Sequence, residues 1–183
     1  PLHSQTETHI YEHFRTFLES FPYVMSWYPS KQELIIIGSN EPLYIDFREI
    51  QNRLKHPAIK KVMENIRFDN PFTLLGSIWF LKNELEAMGL KQRLITDNNA
   101  SLEFFLGSPN AVTKENVYRF LKNRVSFSSA VSKIKNLTKA EKENLKRFWD
   151  QRLDAEYAGD MFELGVKFLN KNDLRRANKK LRE

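Results

Sequence analysis

The chain has 183 residues, of which 41% are hydrophobic and 28% are charged, and it contains no cysteine. This composition is typical of a globular protein with one core or a core with an appendage, and it excludes disulfides and thiolate metal sites. The longest mostly apolar stretch, Phe72 to Leu81, is far shorter than the roughly 20 residues that a membrane-spanning helix needs. No membrane span is therefore expected in this chain, and the cytoplasm is the expected compartment.

The net charge of +6 is unevenly distributed along the chain. Residues 1–110 carry 11 Lys and Arg against 13 Asp and Glu, a balance of −2, while residues 111–183 carry 18 against 10, a balance of +8. The change falls at Gly107–Asn110, where all four residues are turn formers. The sequence therefore predicts a boundary near residue 110, followed by a basic unit whose charge suits an acidic partner.

Helix signals dominate the chain. A capping box that begins at Ser4, followed by apolar residues at helical spacing, predicts a first helix that ends near Ser20. In the middle of the chain, Asp46 marks one helix start and Pro57 another, while Asn70 caps a third helix that is predicted to extend over residues 70–88. The expected fold class is accordingly α+β and mainly helical.

A β-hairpin is predicted directly after the first helix. Its strands are the β-rich runs Tyr23–Tyr28 and Glu33–Ile37, which are separated by a turn-like segment. Residues 34–37 are continuously apolar, as in a strand that is buried on both faces. A lone hairpin cannot bury such a strand. It therefore either joins a sheet supplied by other polypeptide or is covered by the helices that follow.

A polar turn precedes a short predicted strand at residues 102–106. The turn is the TDNN sequence of residues 96–99, and the strand contains Glu103. Asp and Asn side chains accept hydrogen bonds from backbone N–H groups about two residues further on, which explains the polar residues as a tight entry into the strand. Asp97 and Glu103 would act as an acid–base pair only if both faced one pocket. A structural role for Thr96, Asp97 and Glu103 is therefore the preferred interpretation.

The basic unit at residues 111–183 is predicted to be a helical tail. Thr138 and Glu141 form a capping box ahead of an apolar helical stripe, and residues 161–183 have the spacing of a tetratricopeptide repeat. One repeat cannot bury its own apolar face, so this segment either shields the core or docks a protein partner. The candidate docking residues are Leu164, Phe168 and Leu181. Nucleic-acid binding is not expected, because the aromatic residues fall on the apolar stripe and the basic ones are mixed with Asp and Glu.

The histidines of the first helix give no convincing metal site. His9 and His13 lie one helical turn apart and could share a metal ion. They supply only two ligands, whereas a catalytic zinc site usually has three protein ligands, so a solvated helix face is the preferred interpretation. No residue of the chain is assigned to catalysis, to a cofactor or to a metal.

Three stretches carry a resemblance to a known family. They are FPYVMSW at residues 21–27, ELIIIGSNEPLYID at residues 33–46 and TDNNASLEF at residues 96–104. In this order and behind a helix, they resemble the C-terminal part of the fused, membrane-anchored spermidine synthase-like proteins. The resemblance implies a polyamine aminopropyltransferase-type parent with a Rossmann-like sheet, which faces the cytoplasm and uses decarboxylated S-adenosylmethionine as its donor substrate.

The resemblance divides the chain into three parts. Residues 1–40 would be the last helix and the last two strands of the Rossmann-like sheet, residues 41–110 a helical extension that ends in the TDNNASLEF strand, and residues 111–183 the helical tail. The family's Gly-rich turn and acidic residues would lie upstream of Pro1, so this chain is expected to be inactive by itself and to hold no cofactor. The apolar strand would find its neighbours in the N-terminal half of the same protein or in a second copy, through the hairpin edge.

Overall fold

The computed structural model describes residues 5–30, 33–98 and 122–152, and its architecture is α+β and mainly helical, as predicted. The helices are α1 (Glu7–Ser20), α2 (Phe47–Lys55), α3 (Pro57–Asn65), α4 (Pro71–Leu75), α5 (Lys82–Gly89), α6 (Phe127–Val131) and α7 (residues 139–152, where the description ends). The strands are β1 (Tyr23–Ser30), β2 (Glu33–Ser39), β3 (Ile45–Asp46), β4 (Ile78–Leu81) and β5 (Ile134–Lys135).

The strands form two sheets. The larger is antiparallel with the order β2-β1-β4, and Met25 in its central strand lies opposite Ile37 of β2 and Leu81 of β4. The smaller sheet is the parallel pair of β3 and β5, in which Ile45 lies opposite Ile134. The predicted hairpin is confirmed, and its first strand gains a second neighbour from a distant part of the chain.

The structure confirms the predicted helix starts at Asp46, Pro57 and Thr138, and side chains cap α2 and α7 as the sequence indicates. The side chain of Thr6 caps α1 by accepting the His9 N–H at 3.2 Å. Asp46 caps α2, and Pro57 is the first residue of α3. Thr138 and Glu141 form the predicted capping box at the start of α7, because each side chain accepts the backbone N–H of the other residue. Ser4, where the first predicted box begins, lies outside the described residues.

The prediction of one helix over residues 70–88 is wrong. The structure divides this stretch into α4, β4 and α5. Ile78, Trp79 and Phe80 are fully buried, and such a continuous apolar run can be covered on both faces when it forms a strand. Two hydrogen bonds connect β4 to other parts of the chain. The Phe80 N–H donates to the Ser26 hydroxyl at 3.0 Å, and the Val125 N–H donates to the Trp79 carbonyl at 2.8 Å.

The larger sheet separates two hydrophobic clusters. On one face, α1 buries Ile10 and Phe14 against Val24 and Phe80. The cluster that contains Met25 and Ile78 lies on the other side and is completed by residues from α2, α4, α6 and α7. The largest of these are Phe47, Leu75, Leu145 and Trp149. Residues 122–152 thus share a core with β1 of the hairpin.

The apolar strand β2 differs from its prediction. Leu34 and Ile36 pack toward α1, but 50% of Ile35 and 43% of Ile37 are exposed, so the strand is not buried on both faces within the described part of the chain. The physical reason is that α2 and α3 cover the second face incompletely and leave a groove between themselves and β2.

Several predicted features lie outside the described residues. They are the boundary at Gly107–Asn110, the short strand with Glu103, and the tetratricopeptide-like segment with Leu164, Phe168 and Leu181.

Candidate functional site

The structure describes residues 96–98 of the TDNN turn. Thr96 makes an isolated β-bridge, and Asp97 lies in the turn that follows it. Both side chains are exposed. Because Glu103 lies outside the described residues, the acid–base pair remains a hypothesis, as does the structural role of the motif.

The two histidines lie on α1, as predicted. Burial is the main cause that lowers the pKa of His13 below its ordinary value, and the neighbouring positive charges act in the same direction. Residues 5–30, 33–98 and 122–152 contain no cluster of three or more His, Asp or Glu side chains that could hold a metal ion. His13 is half-buried on α1, and its lowered pKa favours the neutral imidazole.

The main candidate site is the groove between β2 and the helices α2 and α3, called here the apolar groove. Its volume is about 820 Å³, within the range of pockets that bind ligands or peptide segments. It is lined mainly by large apolar side chains, which include Trp27, Ile35, Ile37, Tyr44, Met63 and Ile66. Four of these, Ile35, Ile37, Tyr44 and Ile66, are between 43% and 57% exposed. Clustered exposed apolar side chains are a common feature of contact sites, which makes this groove the main candidate.

The charged groups at the rim of the apolar groove are already engaged. The Asp46 carboxylate caps α2 and accepts a hydrogen bond from the Asn136 amide at 2.6 Å. Glu49 forms an ion pair with Arg53 at 2.7 Å. These carboxylates therefore serve local structure, and the chemistry that the groove offers to an occupant is the burial of apolar surface.

The outer edge of β2 adjoins the apolar groove. Among the described residues, β2 pairs with β1 only, so it forms one edge of the larger sheet. Exposed edge strands usually carry a Lys, a Pro or an inward-facing charge that prevents pairing with another chain. The sequence ELIIIGS of β2 has none of these in its interior. This edge is consequently suited to accept a further strand.

An ion pair ties the wall of the apolar groove to α7. Arg48 of α2 donates two hydrogen bonds to the Glu141 carboxylate, at 2.6 and 2.8 Å, and the backbone N–H of Thr138 donates another at 2.9 Å. The hydrogen bond from Arg48 is the main cause that lowers the pKa of Glu141 to about 2. The bidentate geometry thus fixes α2 relative to the start of α7.

This ion pair should make stability depend on pH in acid. The folded state lowers the pKa of Glu141 to about 2, so its contribution is fully present above the ordinary pKa near 4.5 and is lost as the pH falls from there through 2. Glu141→Gln should flatten the loss of unfolding free energy over this interval, as measured by urea denaturation at a series of pH values. Glu143→Gln, an exposed change on the same helix, should keep the wild-type slope. Identical slopes for both variants would contradict this role of Glu141.

A partly buried arginine joins three segments of the chain. The guanidinium of Arg124 lies between two indole rings, 4.2 Å from the centroid of Trp79 and 3.5 Å from that of Trp149. It donates hydrogen bonds to the carbonyls of Ile78 at 3.3 Å, of Trp149 at 2.8 Å and of Gly76. Burial lowers the pKa of Arg124 to about 9. No sequence signal distinguishes this residue from the other basic residues of its segment.

The last described turn of α7 lies beside the apolar groove. Arg152, the last described residue, donates hydrogen bonds to the carbonyls of Tyr28 at 3.2 Å and Pro29 at 2.6 Å. Pro29 belongs to the lining of the groove. The chain beyond residue 152 therefore starts next to one end of the candidate site.

Comparison with protein-family models, with curated proteins and with solved structures gives no match for this chain. Within the described ranges, every helix is too short or too polar to cross a bilayer.

Proposed function

We propose that this chain is the C-terminal part of a spermidine synthase-like protein and that it completes the sheet of an aminopropyltransferase-type domain without being catalytically competent alone. The observation that carries the proposal is the outer edge of β2, an apolar strand with one neighbour among the described residues. The helix, hairpin and edge have the order that the family resemblance requires for the end of a Rossmann-like sheet. In this proposal the parent is cytoplasmic or anchored with its enzymatic part facing the cytoplasm.

The gene and a longer protein provide the direct test. The reading frame that encodes Pro1 should continue upstream with a strand, a Gly-rich turn and a helix, because this turn holds the nucleoside of the donor substrate. The longer protein should bind decarboxylated S-adenosylmethionine, whereas residues 1–183 should not. A start codon directly before Pro1, or a longer protein that does not bind the nucleoside, would contradict the proposal.

The β2 edge should also cause self-association when residues 1–183 are studied alone. We expect dimers or strand-exchanged species, because an apolar edge strand without protective charges pairs with its own copy when no other strand is available. Ile35→Lys should shift the protein toward monomer by at least about tenfold in dissociation constant, since it places a charge on this strand. Sedimentation velocity over micromolar concentrations measures this effect.

Leu90→Lys is the matched control for this measurement. Leu90 is 52% exposed after α5 and makes no part of the groove lining or of the sheet, so this variant should associate like the wild type. A wild-type chain that stays monomeric over the whole range, or equal association of both variants, would count against the open edge.

The alternative function is a helical binding or scaffolding module that docks a protein partner, with Leu164, Phe168 and Leu181 as contact residues. The observation that favours it is α3, a helix without a buried residue, on which Ile59, Val62 and Ile66 are 39% to 58% exposed. Such a surface suits another polypeptide. The nucleoside-binding experiment separates the two functions, because a binding module would bind no donor substrate in any length of the protein.

A further inference from the structure

We infer that the apolar groove is the docking site of the chain's own segment 161–168, whose Met161, Leu164 and Phe168 would cover β2. The inference concerns contacts within this chain and does not depend on the identity of the parent. It rests on the position at which the described chain ends, on the reach of the residues that follow, and on the charges of the connecting residues and of the groove's helical wall.

The first step is position. Arg152, in the last described turn of α7, donates hydrogen bonds to the carbonyls of Tyr28 and Pro29, and Pro29 is part of the groove lining. Met161 is nine positions beyond Arg152, with eight residues between them. This stretch spans about 13 Å as a helix and at most about 30 Å when extended, which is sufficient to bring the segment to a groove that begins beside its starting point.

The second step is shape and polarity. Met161, Leu164 and Phe168 are spaced at i, i+3 and i+7, so a helix would present them on one face. The groove offers Ile35 and Ile37 on its sheet wall, both about half exposed. Helix-in-groove contacts are formed by this combination of an apolar helical stripe and an apolar cleft.

The third step is charge. Residues 47–67, which contain α2 and α3, carry six Lys and Arg against two Glu, a balance of +4. Residues 153–160, which lead to the segment, carry three Asp and Glu and no Lys or Arg, a balance of −3, whereas the segment 161–168 itself is neutral, with Glu163 and Lys167. Opposite charges on these connecting residues and on the groove's helical wall would favour the approach of the segment to the groove and disfavour a second, equally basic copy of α2 and α3.

Site-directed disulfide formation tests this docking, and the absence of native cysteine makes every engineered pair unambiguous. The test variant of the full chain combines Ile37→Cys in the groove with Leu164→Cys in the segment. The matched control combines Leu90→Cys with Leu164→Cys, because Leu90 is 52% exposed but does not line the groove. A docked segment gives its thiol an effective concentration in the millimolar range. At submicromolar protein we therefore expect the groove pair to form an intrachain disulfide at least about tenfold faster than the control pair.

Two further measurements complete the test. Phe168→Asp added to the groove pair should remove the rate difference, whereas Asn170→Asp, which adds the same charge away from the apolar stripe, should preserve it. Peptide mapping of the monomer-sized product should identify the link between positions 37 and 164. Equal rates for the groove pair and the control pair would overturn the inference. A 37–164 link found only in a dimer-sized product would also overturn it, because the occupant would then belong to a second copy.

Discussion

Residues 1–183 are expected to transfer no aminopropyl group to putrescine and to bind no decarboxylated S-adenosylmethionine at micromolar concentration. The sequence has no Gly-rich turn at a strand-to-helix junction, and the carboxylates at the rim of the apolar groove are engaged in capping and ion pairing. Positioning of two reactants alone supplies roughly 7–11 kcal/mol of barrier lowering, and it requires a donor site. A chain without that site should show turnover at the uncatalysed rate.

Calorimetric titration with the donor and a turnover assay with putrescine measure this expectation, with an active spermidine synthase as the positive control. The assay should be repeated with Asp97→Asn and Asp46→Asn. If residues 1–183 showed transfer that either variant abolished, an acid site in this chain would replace the fragment proposal. Micromolar binding of the donor would have the same consequence.

Arg124→Ala should lower the free energy of unfolding by at least about 3 kcal/mol. The change leaves the carbonyls of Gly76, Ile78 and Trp149 without their charged donor and opens a cavity between the two indoles of Trp79 and Trp149. A buried polar group that loses its partner costs about 1–3 kcal/mol, and the loss of cation–π contact and of packing adds to that figure. Urea denaturation with linear extrapolation measures the loss.

Arg124→Lys separates the geometry of the guanidinium from its charge. Lysine keeps the positive charge, but its three N–H groups share one nitrogen and cannot match the planar spread of the guanidinium donors or fill the space between two rings, so it should restore less than half of the loss. Arg53→Ala is the control, because Arg53 forms its ion pair with Glu49 at an exposed position and should cost at most about 0.5 kcal/mol. A loss below about 1 kcal/mol for Arg124→Ala would mean that Arg124 is not needed to join the three segments.

Local signals predicted the helix starts well. Asp46, Pro57 and Thr138 act through hydrogen bonds or backbone angles within one turn of themselves, so the sequence contains all of the relevant information. The strand β4 was missed because the periodicity of a short apolar run does not distinguish a buried strand from a buried helix. Only pairing with β1, more than 50 residues earlier, decides between them.

The candidate site was only partly predictable. The run of residues 34–37 correctly indicates a strand. Its exposure depends on how far α2 and α3 lie from β2, a distance that no local pattern specifies. Arg124 was not predicted, because a lone arginine in a basic segment is usually solvated. Its role arises from Trp79 and Trp149, which come from two other segments.

The small parallel sheet has a consequence for synthesis on the ribosome. Ile45 pairs with Ile134, and the cluster that closes one face of the hairpin includes Leu145 and Trp149. The hairpin is complete at residue 39, about a hundred residues before these partners emerge. At roughly 5–20 residues per second, the nascent chain displays the apolar face of the hairpin that contains Met25 for about 5–20 s. During that interval this uncovered face is available for misassembly between neighbouring nascent chains, so chaperone demand should be set by this delay rather than by final stability.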